Sequence, residues 1–222
     1  MSQGELESKV NSLSETVKIL EAKLTAAEDI EAIKKLQNAY GYYLEHWQED
    51  EIVELFSHSP DVSVEINASG FYKGWDVIKE SYRFADHYTA YGKVKNPPGE
   101  FLHILMPLAG IIDLNQDGKK AKGRWYGFFL GAMPRPVETR ALIGCGIWEN
   151  EFVKENGIWK FHKLFWNDIF CSPLDEGWVK TPYLANTRKT AQSSPNVHFQ
   201  HYPSGYIFPY HYKNTVTGKK TI

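Results

Sequence analysis

The chain has 222 residues, of which 42% are hydrophobic and 23% are charged, a composition typical of a globular protein with a sizeable core. A formal net charge of −2 excludes the strongly basic proteins that bind nucleic acids or anionic membranes. No apolar run is long enough for a membrane span or a signal peptide, and two cysteines, Cys145 and Cys171, are too few for a disulfide framework. We therefore expect a cytoplasmic protein with reduced thiols and with no nucleic-acid or membrane partner.

The first predicted element is a helix with an apolar seam. Its apolar residues are spaced alternately four and three apart, at Leu6, Val10, Leu13, Val17, Leu20, Leu24 and Ala27. This period predicts a short coiled coil of about three heptads in a region that covers residues 1–28. An amphipathic helix that packs on its own domain is the alternative. Valine at the a positions and leucine at most d positions favours two strands.

Residues 29–171 have the pattern of one domain that begins with helices. Apolar residues recur three and four apart from Ile30 to Trp47, which predicts a helix that is buried on one face. The next predicted elements are a short helix at 52–56, a strand at 62–66, a turn at 67–70 and a helix at 75–82, and a break follows at 96–99.

Long strands with alternating apolar and polar residues follow. They are predicted at 101–114, 120–130, 147–154 and 158–165, with a turn at 115–118 and a loop at 133–138. The last two strands flank Asn156-Gly157, and an Asn-Gly turn between alternating segments is a strong hairpin signal. Pro107 is expected at a sheet edge or a bulge. Helices segregated from an antiparallel sheet define an α+β fold, in which the sheet must curl over the helices to bury their apolar faces.

Residues 172–222 form an irregular extension that is rich in proline and aromatic residues. A disordered tail would contain few aromatic side chains, so we expect this extension to pack on something. It can lie along its own domain, cover the mouth of a pocket or wrap a neighbouring subunit, and the sequence leaves these alternatives open.

Several short motifs together resemble one family. They are Tyr40-Gly-Tyr-Tyr-Leu-Glu45, Ile52-Val-Glu-Leu-Phe56, Asp61-Val-Ser-Val, Gly70-Phe-Tyr-Lys-Gly74, His103-Ile-Leu-Met-Pro107, Asp117-Gly-Lys-Lys-Ala-Lys-Gly-Arg-Trp125 and Asn156-Gly-Ile-Trp-Lys-Phe161. In order and spacing they resemble the SnoaL-like branch of the nuclear transport factor 2-like superfamily, which includes scytalone dehydratase, bile acid 7α-dehydratase and diarylpropane lyases. The resemblance implies a cone-shaped α+β barrel, in which a curved antiparallel sheet wraps around helices and leaves a deep apolar pocket. Such a fold does not by itself determine an activity.

The resemblance also implies three catalytic residues. His103 matches the position of the catalytic histidine of the dehydratases, and an imidazole is the natural proton carrier near neutral pH. Glu45 stands where those enzymes have an aspartate that orients the histidine, and His46 is the alternative partner. Tyr40 matches a family tyrosine whose hydroxyl would polarise a substrate oxygen, a role for which Tyr126 is the alternative.

Further residues are predicted to bind the substrate. They are Tyr43, Arg124, Trp125, Tyr126, Trp148 and Asn150. Because alternate strand residues face opposite sides of a sheet, either Trp125 and Trp148 or Arg124 and Glu149 face the pocket. An aromatic wall would suit an aromatic substrate. The histidines lack the spacing of metal ligands and no cofactor motif occurs, so we expect neither a metal nor a cofactor.

These expectations describe a cofactor-independent lyase that acts on a hydrophobic, aromatic small molecule. The reaction would be a dehydration or a carbon–carbon cleavage that releases a small aldehyde. Ile66 and Trp148 replace a tyrosine and an asparagine of scytalone dehydratase, which leaves a water-eliminating site incomplete. The alternatives are an isomerase, a polyketide-type cyclase or a non-catalytic binding protein. A homo-oligomer is expected, dimeric on the evidence of the seam and trimeric by resemblance to the dehydratases.

Overall fold

The computed structural model describes residues 2–66, 70–83, 97, 99–133, 139–182 and 201–221. Within these ranges the chain forms four helices and one sheet of six strands, which confirms the predicted α+β class. The predicted turn at 67–70 and the predicted loop at 133–138 lie largely outside the described residues. None of the helices in the described ranges is long and apolar enough to cross a membrane.

The longest element is helix α1, Gln3–Glu45, which continues without a break past residue 28, where the coiled-coil region was predicted to end. Ser2 caps its start in a reciprocal pair with Glu5, the arrangement that satisfies free amides at a helix N-terminus. Its apolar seam is exposed in the first half, whereas from Asp29 onward one face is buried. One continuous helix therefore has an exposed first part and a second part with one buried face.

The other elements include those predicted, in the predicted order, and two that the sequence pattern did not indicate, a strand at Gly70–Lys73 and a helix at Gly177–Lys180. The shorter helices are α2 at Glu49–Glu54, α3 at Trp75–Ser81 and α4 at Gly177–Lys180. The strands are β1 at Ser63–Ile66, β2 at Gly70–Lys73, β3 at Leu102–Leu114, β4 at Lys120–Met133, β5 at Arg140–Glu155 and β6 at Ile158–Pro173. Strands β4, β5 and β6 are longer at one or both ends than alternation in the sequence indicates, whereas β3 matches its predicted range to within one residue.

The strand order in the sheet is β2-β1-β6-β5-β4-β3. The sheet is curved and open, with β2 and β3 at its edges. Pro107 lies on edge strand β3, as predicted. One pairing differs from the antiparallel arrangement expected throughout, because β1 runs parallel to β6. Hairpin turns fix the pairing of consecutive strands only, so the sequence pattern did not indicate this long-range neighbour.

The predicted hairpin between β5 and β6 is confirmed. Asn156 and Gly157 both have positive φ, 51° and 83°, as a tight turn with the twist of the flanking strands requires. The two strands stay paired from this turn to Leu142 and Pro173. They shift register twice, and such bulges bend a strand and increase its twist.

Large aromatic rings lie flat on one face of the sheet above glycines. A Cβ atom on Gly123 or Gly110 would overlap the ring of Trp125, and a Cβ on Gly127 or Gly146 would overlap that of Trp166. The missing side chains therefore make the space that the rings occupy. This explains part of the aromatic excess, because each ring covers neighbouring strands as well as its own.

The described part of the C-terminal extension, residues 201–221, lies along its own domain. The amide of Tyr202 donates to the carbonyl of Ile169 on β6 at 2.8 Å, and the rings of Phe208 and Phe165 stack with centroids 4.9 Å apart. Of the three alternatives that the sequence left open, packing along its own domain therefore holds for these residues.

Candidate active site

Residues on β4 and β5 show which face of the sheet is turned toward the helices. Trp125 pairs with Trp148, and both belong to the core that α1 helps to build. The preceding pair, Arg124 and Glu149, lies on the opposite face, which we call the convex face. Of the two arrangements that the sequence left open, the tryptophans face the helix-filled concave side.

His103 lies on the concave face, opposite Gly131 on β4. Its ring is 5.0 Å from the ring of Phe129 and stacks on that of Phe101 at 6.2 Å. Phe129 reaches this position because its ring covers Gly131, the residue beside His103. The predicted catalytic histidine is therefore half-buried in an aromatic environment that two strands supply.

Helix α1 and the turn after it pass close to β3 on both sides of His103. A Cβ on Gly41 would come 2.6 Å from the carbonyl oxygen of Leu105, so a larger residue would push the helix away. Trp47, just beyond the helix, packs against Phe101 with ring centroids 5.2 Å apart. The glycine at position 41 thus sets how closely the last turns of α1 approach the strand of His103.

The carboxylate that was predicted to orient His103 does not contact it. Glu45 is half-buried at the end of α1 and makes no hydrogen bond or ion pair with any residue in the described ranges. His46, the alternative, is exposed. Spacing along a helix determines the face of a residue, but side-chain length and the end of the helix determine whether it reaches a neighbour.

Tyr40 is buried rather than free to bind a substrate oxygen. Its hydroxyl lies 2.9 Å from that of Tyr82 after α3, and its ring packs edge-on against those of Phe56 and Phe161. The Tyr40 hydroxyl is thus held by a second phenol. The predicted tyrosine is in the core, with its orientation fixed by contacts that are far apart in the sequence.

Asp168 on β6 was not among the residues that the sequence patterns indicated. The indole nitrogen of Trp166 donates to its carboxylate at 2.6 Å. Trp166 lies on the concave face, where it packs against Trp148 with centroids 4.7 Å apart, and a residue two positions further along a strand shares its face. Burial raises the pKa of Asp168 to about 7, although the bond from Trp166 acts in the opposite direction. The available signal was a single acid in the aromatic-rich segment Phe165–Phe170.

Other residues predicted to bind substrate have structural contacts instead. Asn150 is 1% exposed, donates to Gln37 on α1 at 2.8 Å and accepts from the amide of Phe165 at 2.9 Å. It thereby connects the helix to the sheet. Trp125 and Trp148 are 4% and 1% exposed and belong to the hydrophobic core, so their rings are covered by other side chains.

Arg124 and Tyr126 lie on the convex face, and Tyr43 lies on α1, half-buried against the core. Arg124 is covered on the convex face by the C-terminal extension, and Tyr126, on the same face, is 51% exposed. Tyr43 borders a shallow surface depression between α1 and α2. These placements differ from the predicted roles in substrate binding, because the pleat turns Arg124 and Tyr126 outward.

A groove of about 750 Å³ lies at the other end of the sheet. Charged side chains of both signs line much of it, including Asp61, Lys122, Glu151 and His162. Such a lining does not suit a hydrophobic molecule. Among the described residues, no group of three or more His, Cys, Asp or Glu side chains is arranged to hold a metal ion. Cys145 and Cys171 are free thiols.

Comparison with known proteins defines the class. The profile of the SnoaL-like domain family matches residues 25–164, which is more than half of the chain. The chain therefore belongs to the SnoaL-like domain family. A search of curated protein sequences finds no match.

Solved structures agree with this fold. A putative scytalone dehydratase from Novosphingobium aromaticivorans has a TM-score of 0.54 and 19% identity, over 68% of this chain and 91% of that one. A hexachlorocyclohexane dehydrochlorinase, LinA type 2, has a TM-score of 0.55 and 18% identity, over 74% and 97% of the two chains. LinA type 3 from Novosphingobium barchaimii has a TM-score of 0.52 and 16% identity, over 68% and 94%. At these identities the likeness concerns the fold alone.

Proposed function

We propose that the protein is a cofactor-independent lyase that acts on a hydrophobic, aromatic small molecule. The observation that carries this proposal is the position of His103, half-buried between Phe101 and Phe129 on the concave face. An imidazole in an aromatic environment offers a proton acceptor next to a surface that suits an apolar ligand. Two of the similar structures are named as a putative dehydratase and a dehydrochlorinase, and these names support an elimination as the type of reaction.

In this proposal Asp168 is the second proton-transfer group. It shares the concave face with His103, but β4 and β5 lie between them and their rows in the sheet meet β3 at Pro107 and His103, so the substrate has to bridge the curved face. A carboxyl group with a pKa near 7 is partly protonated at neutral pH and is suited to general acid catalysis. In a dehydration, His103 accepts a proton from carbon while the neighbouring carbon–oxygen bond breaks. Asp168 gives its proton to the departing hydroxyl, so that a carbon–carbon double bond and water are the products.

Carbon–carbon cleavage uses the same groups. A base removes the proton of a substrate hydroxymethyl group, an aldehyde leaves, and the carbon that keeps the electron pair takes a proton from the acid. An isomerase or a polyketide-type cyclase would use these proton transfers without losing a fragment.

A binding protein is the second candidate function. The position of Glu45 favours this candidate. Its carboxylate makes no hydrogen bond or ion pair with His103, so Glu45 does not fix the tautomer of that imidazole. Catalysis needs a proton carrier, whereas binding needs only a pocket of the right shape. The two candidates therefore differ in what His103 contributes.

The test combines a substrate screen with a matched pair of variants. Aromatic alcohols are incubated with the full chain, and the formation of alkene or free aldehyde is measured. We expect His103→Asn to abolish turnover while the affinity for the same compound persists. His162→Asn, at a histidine in the charged groove, is the control and should keep the activity. Binding without turnover of any compound by the native chain would instead support the binding protein.

A further inference from the structure

The first half of α1 presents an apolar seam that its own chain does not cover. The seam residues are Leu6, Val10, Leu13, Val17, Leu20 and Leu24, which are 49%, 55%, 65%, 50%, 58% and 61% exposed. They follow the alternation of four and three residues that returns to the same helix face every seven residues. This stretch of helix is about 40 Å long at the usual rise per residue. The alternative of an amphipathic helix packed on its own domain does not hold for these residues.

We propose that the seam binds a second copy of this chain in a parallel, two-stranded coiled coil. The core residues support two strands, because valine at Val10 and Val17 occupies a positions and leucine at Leu6, Leu13 and Leu20 occupies d positions. This combination packs well in parallel dimers. The proposal is independent of the catalytic proposal, since it uses no residue of the concave face.

The charged residues beside the seam decide the orientation. In a parallel pair, a g residue faces the e residue five positions further along the partner, so Lys23 meets Glu28 of the second copy. In an antiparallel pair, g positions face g positions and e positions face e positions. Lys9 would then face Lys23, and glutamates would face each other. Parallel pairing thus gives attraction where antiparallel pairing gives repulsion.

An anionic lipid surface is a less suitable partner. Acidic residues outnumber lysines in this stretch of helix, and an amphipathic helix that binds such membranes has lysine or arginine on its polar face. Self-association has a further consequence. Because α1 enters the domain without a break, a parallel pair would place both concave faces at the same end of the dimer.

Light scattering of the full-length chain tests the proposal. We expect the mass of a dimer, and we expect Leu13→Glu to give a monomer with unchanged helical circular dichroism, since this side chain contacts solvent in the single chain. Ile19→Glu is the control, because Ile19 is similarly exposed but lies outside the seam, and it should remain dimeric. A monomeric native chain, a trimeric mass or a dimeric Leu13→Glu variant would each overturn the proposal.

Three further variants test the orientation. Val10→Cys should form a disulfide between two copies under mild oxidation, because residue 10 of one copy lies next to residue 10 of the other only in a parallel pair. The native chain should form no such disulfide. Lys23→Glu should raise the dissociation constant several-fold, and the exchange Lys23→Glu with Glu28→Lys should restore it. In an antiparallel pair, Lys23→Glu would instead strengthen association. A dimer that fails to cross-link at position 10 overturns the parallel arrangement.

Discussion

Two neighbouring residue pairs on β4 and β5 lie in opposite environments. Trp125 and Trp148 are part of the apolar core beneath α1, whereas Arg124 and Glu149, one residue earlier on β4 and one later on β5, form an ion pair at 2.6 Å on the convex face. Both pairs are largely buried, but different parts of the chain cover them. The domain covers the tryptophans, and the C-terminal extension covers the charged pair.

Arg124 and Glu149 neutralise each other, and residues of the C-terminal extension contact both side chains. The guanidinium of Arg124 donates to the carbonyls of Pro209 and Phe208 at 3.0 and 3.2 Å, and it lies 4.4 Å from the ring centroid of Tyr210. Glu149 also bonds His211. Buried charges are tolerated when partners replace water, as they do here. One face of the same pair of strands therefore packs on the core beneath α1, while the other face binds the extension.

The largest effect that we expect is on catalysis at the concave face. His103→Asn should lower kcat by about 10²–10⁴-fold, the range typical of a lost general acid or base. Tyr126→Phe, on the convex face, should leave kcat unchanged. Steady-state kinetics on a substrate found in the screen measures both. An equal loss of kcat in both variants would contradict a catalytic role that is confined to the concave face.

Trp148→Ala tests the packing on the concave face. Loss of this fully buried ring, which contacts Trp166, should lower the free energy of unfolding by about 3–5 kcal/mol. Tyr126→Ala is the control, because Tyr126 is half-exposed and its loss should cost about 0.5 kcal/mol or less. Urea denaturation followed by tyrosine and tryptophan fluorescence compares them.

Arg124→Met tests the convex face. It leaves Glu149 largely buried without its guanidinium, so we expect a loss of about 3 kcal/mol and faster hydrogen exchange at residues 208–212. Lys122→Met, on the same face, removes a lysine that is 57% exposed and should change neither quantity. Slow exchange in the Arg124 variant would mean that aromatic stacking alone holds the extension.

Asp168 should give the protein a stability that falls as pH rises. The folded-state pKa of Asp168, about 7, lies above the ordinary value of 3.8, so the folded chain holds a proton that the unfolded chain releases. Its contribution is present below pH 4 and decreases up to pH 7, by about 2 kcal/mol between pH 4 and pH 6. Asp168→Asn should remove this dependence, and Asp175→Asn, at an exposed acid, should keep it. Thermal unfolding of the native chain and both variants from pH 4 to pH 7 measures this dependence.

Much of the fold followed from local patterns. The 3.6-residue period of α1, the alternation in β3 to β6 and the Asn156-Gly157 turn each depend on residues that are close in sequence. The prediction of the site was less complete. The family resemblance pointed to His103, whose catalytic role stays a prediction, and the strand pattern placed it on β3. Tyr40 is held by Tyr82, Phe56 and Phe161, which are distant in the sequence. Whether Glu45 reaches His103 depends on how far α1 lies from β3. That distance is set by Gly41 against the backbone of Leu105.

The sequence by itself determined most of the elements, the class of fold and the seam of α1, because hydrophobic periodicity and turn residues act over a few residues. Only the tertiary structure decided the parallel pairing of β1 with β6, the face on which Arg124 lies and the burial of Asp168. These properties depend on which distant segments cover a given surface. Burial also raises the pKa of Asp168, so the chemistry of that carboxyl group arises from the fold rather than from its neighbours in the chain.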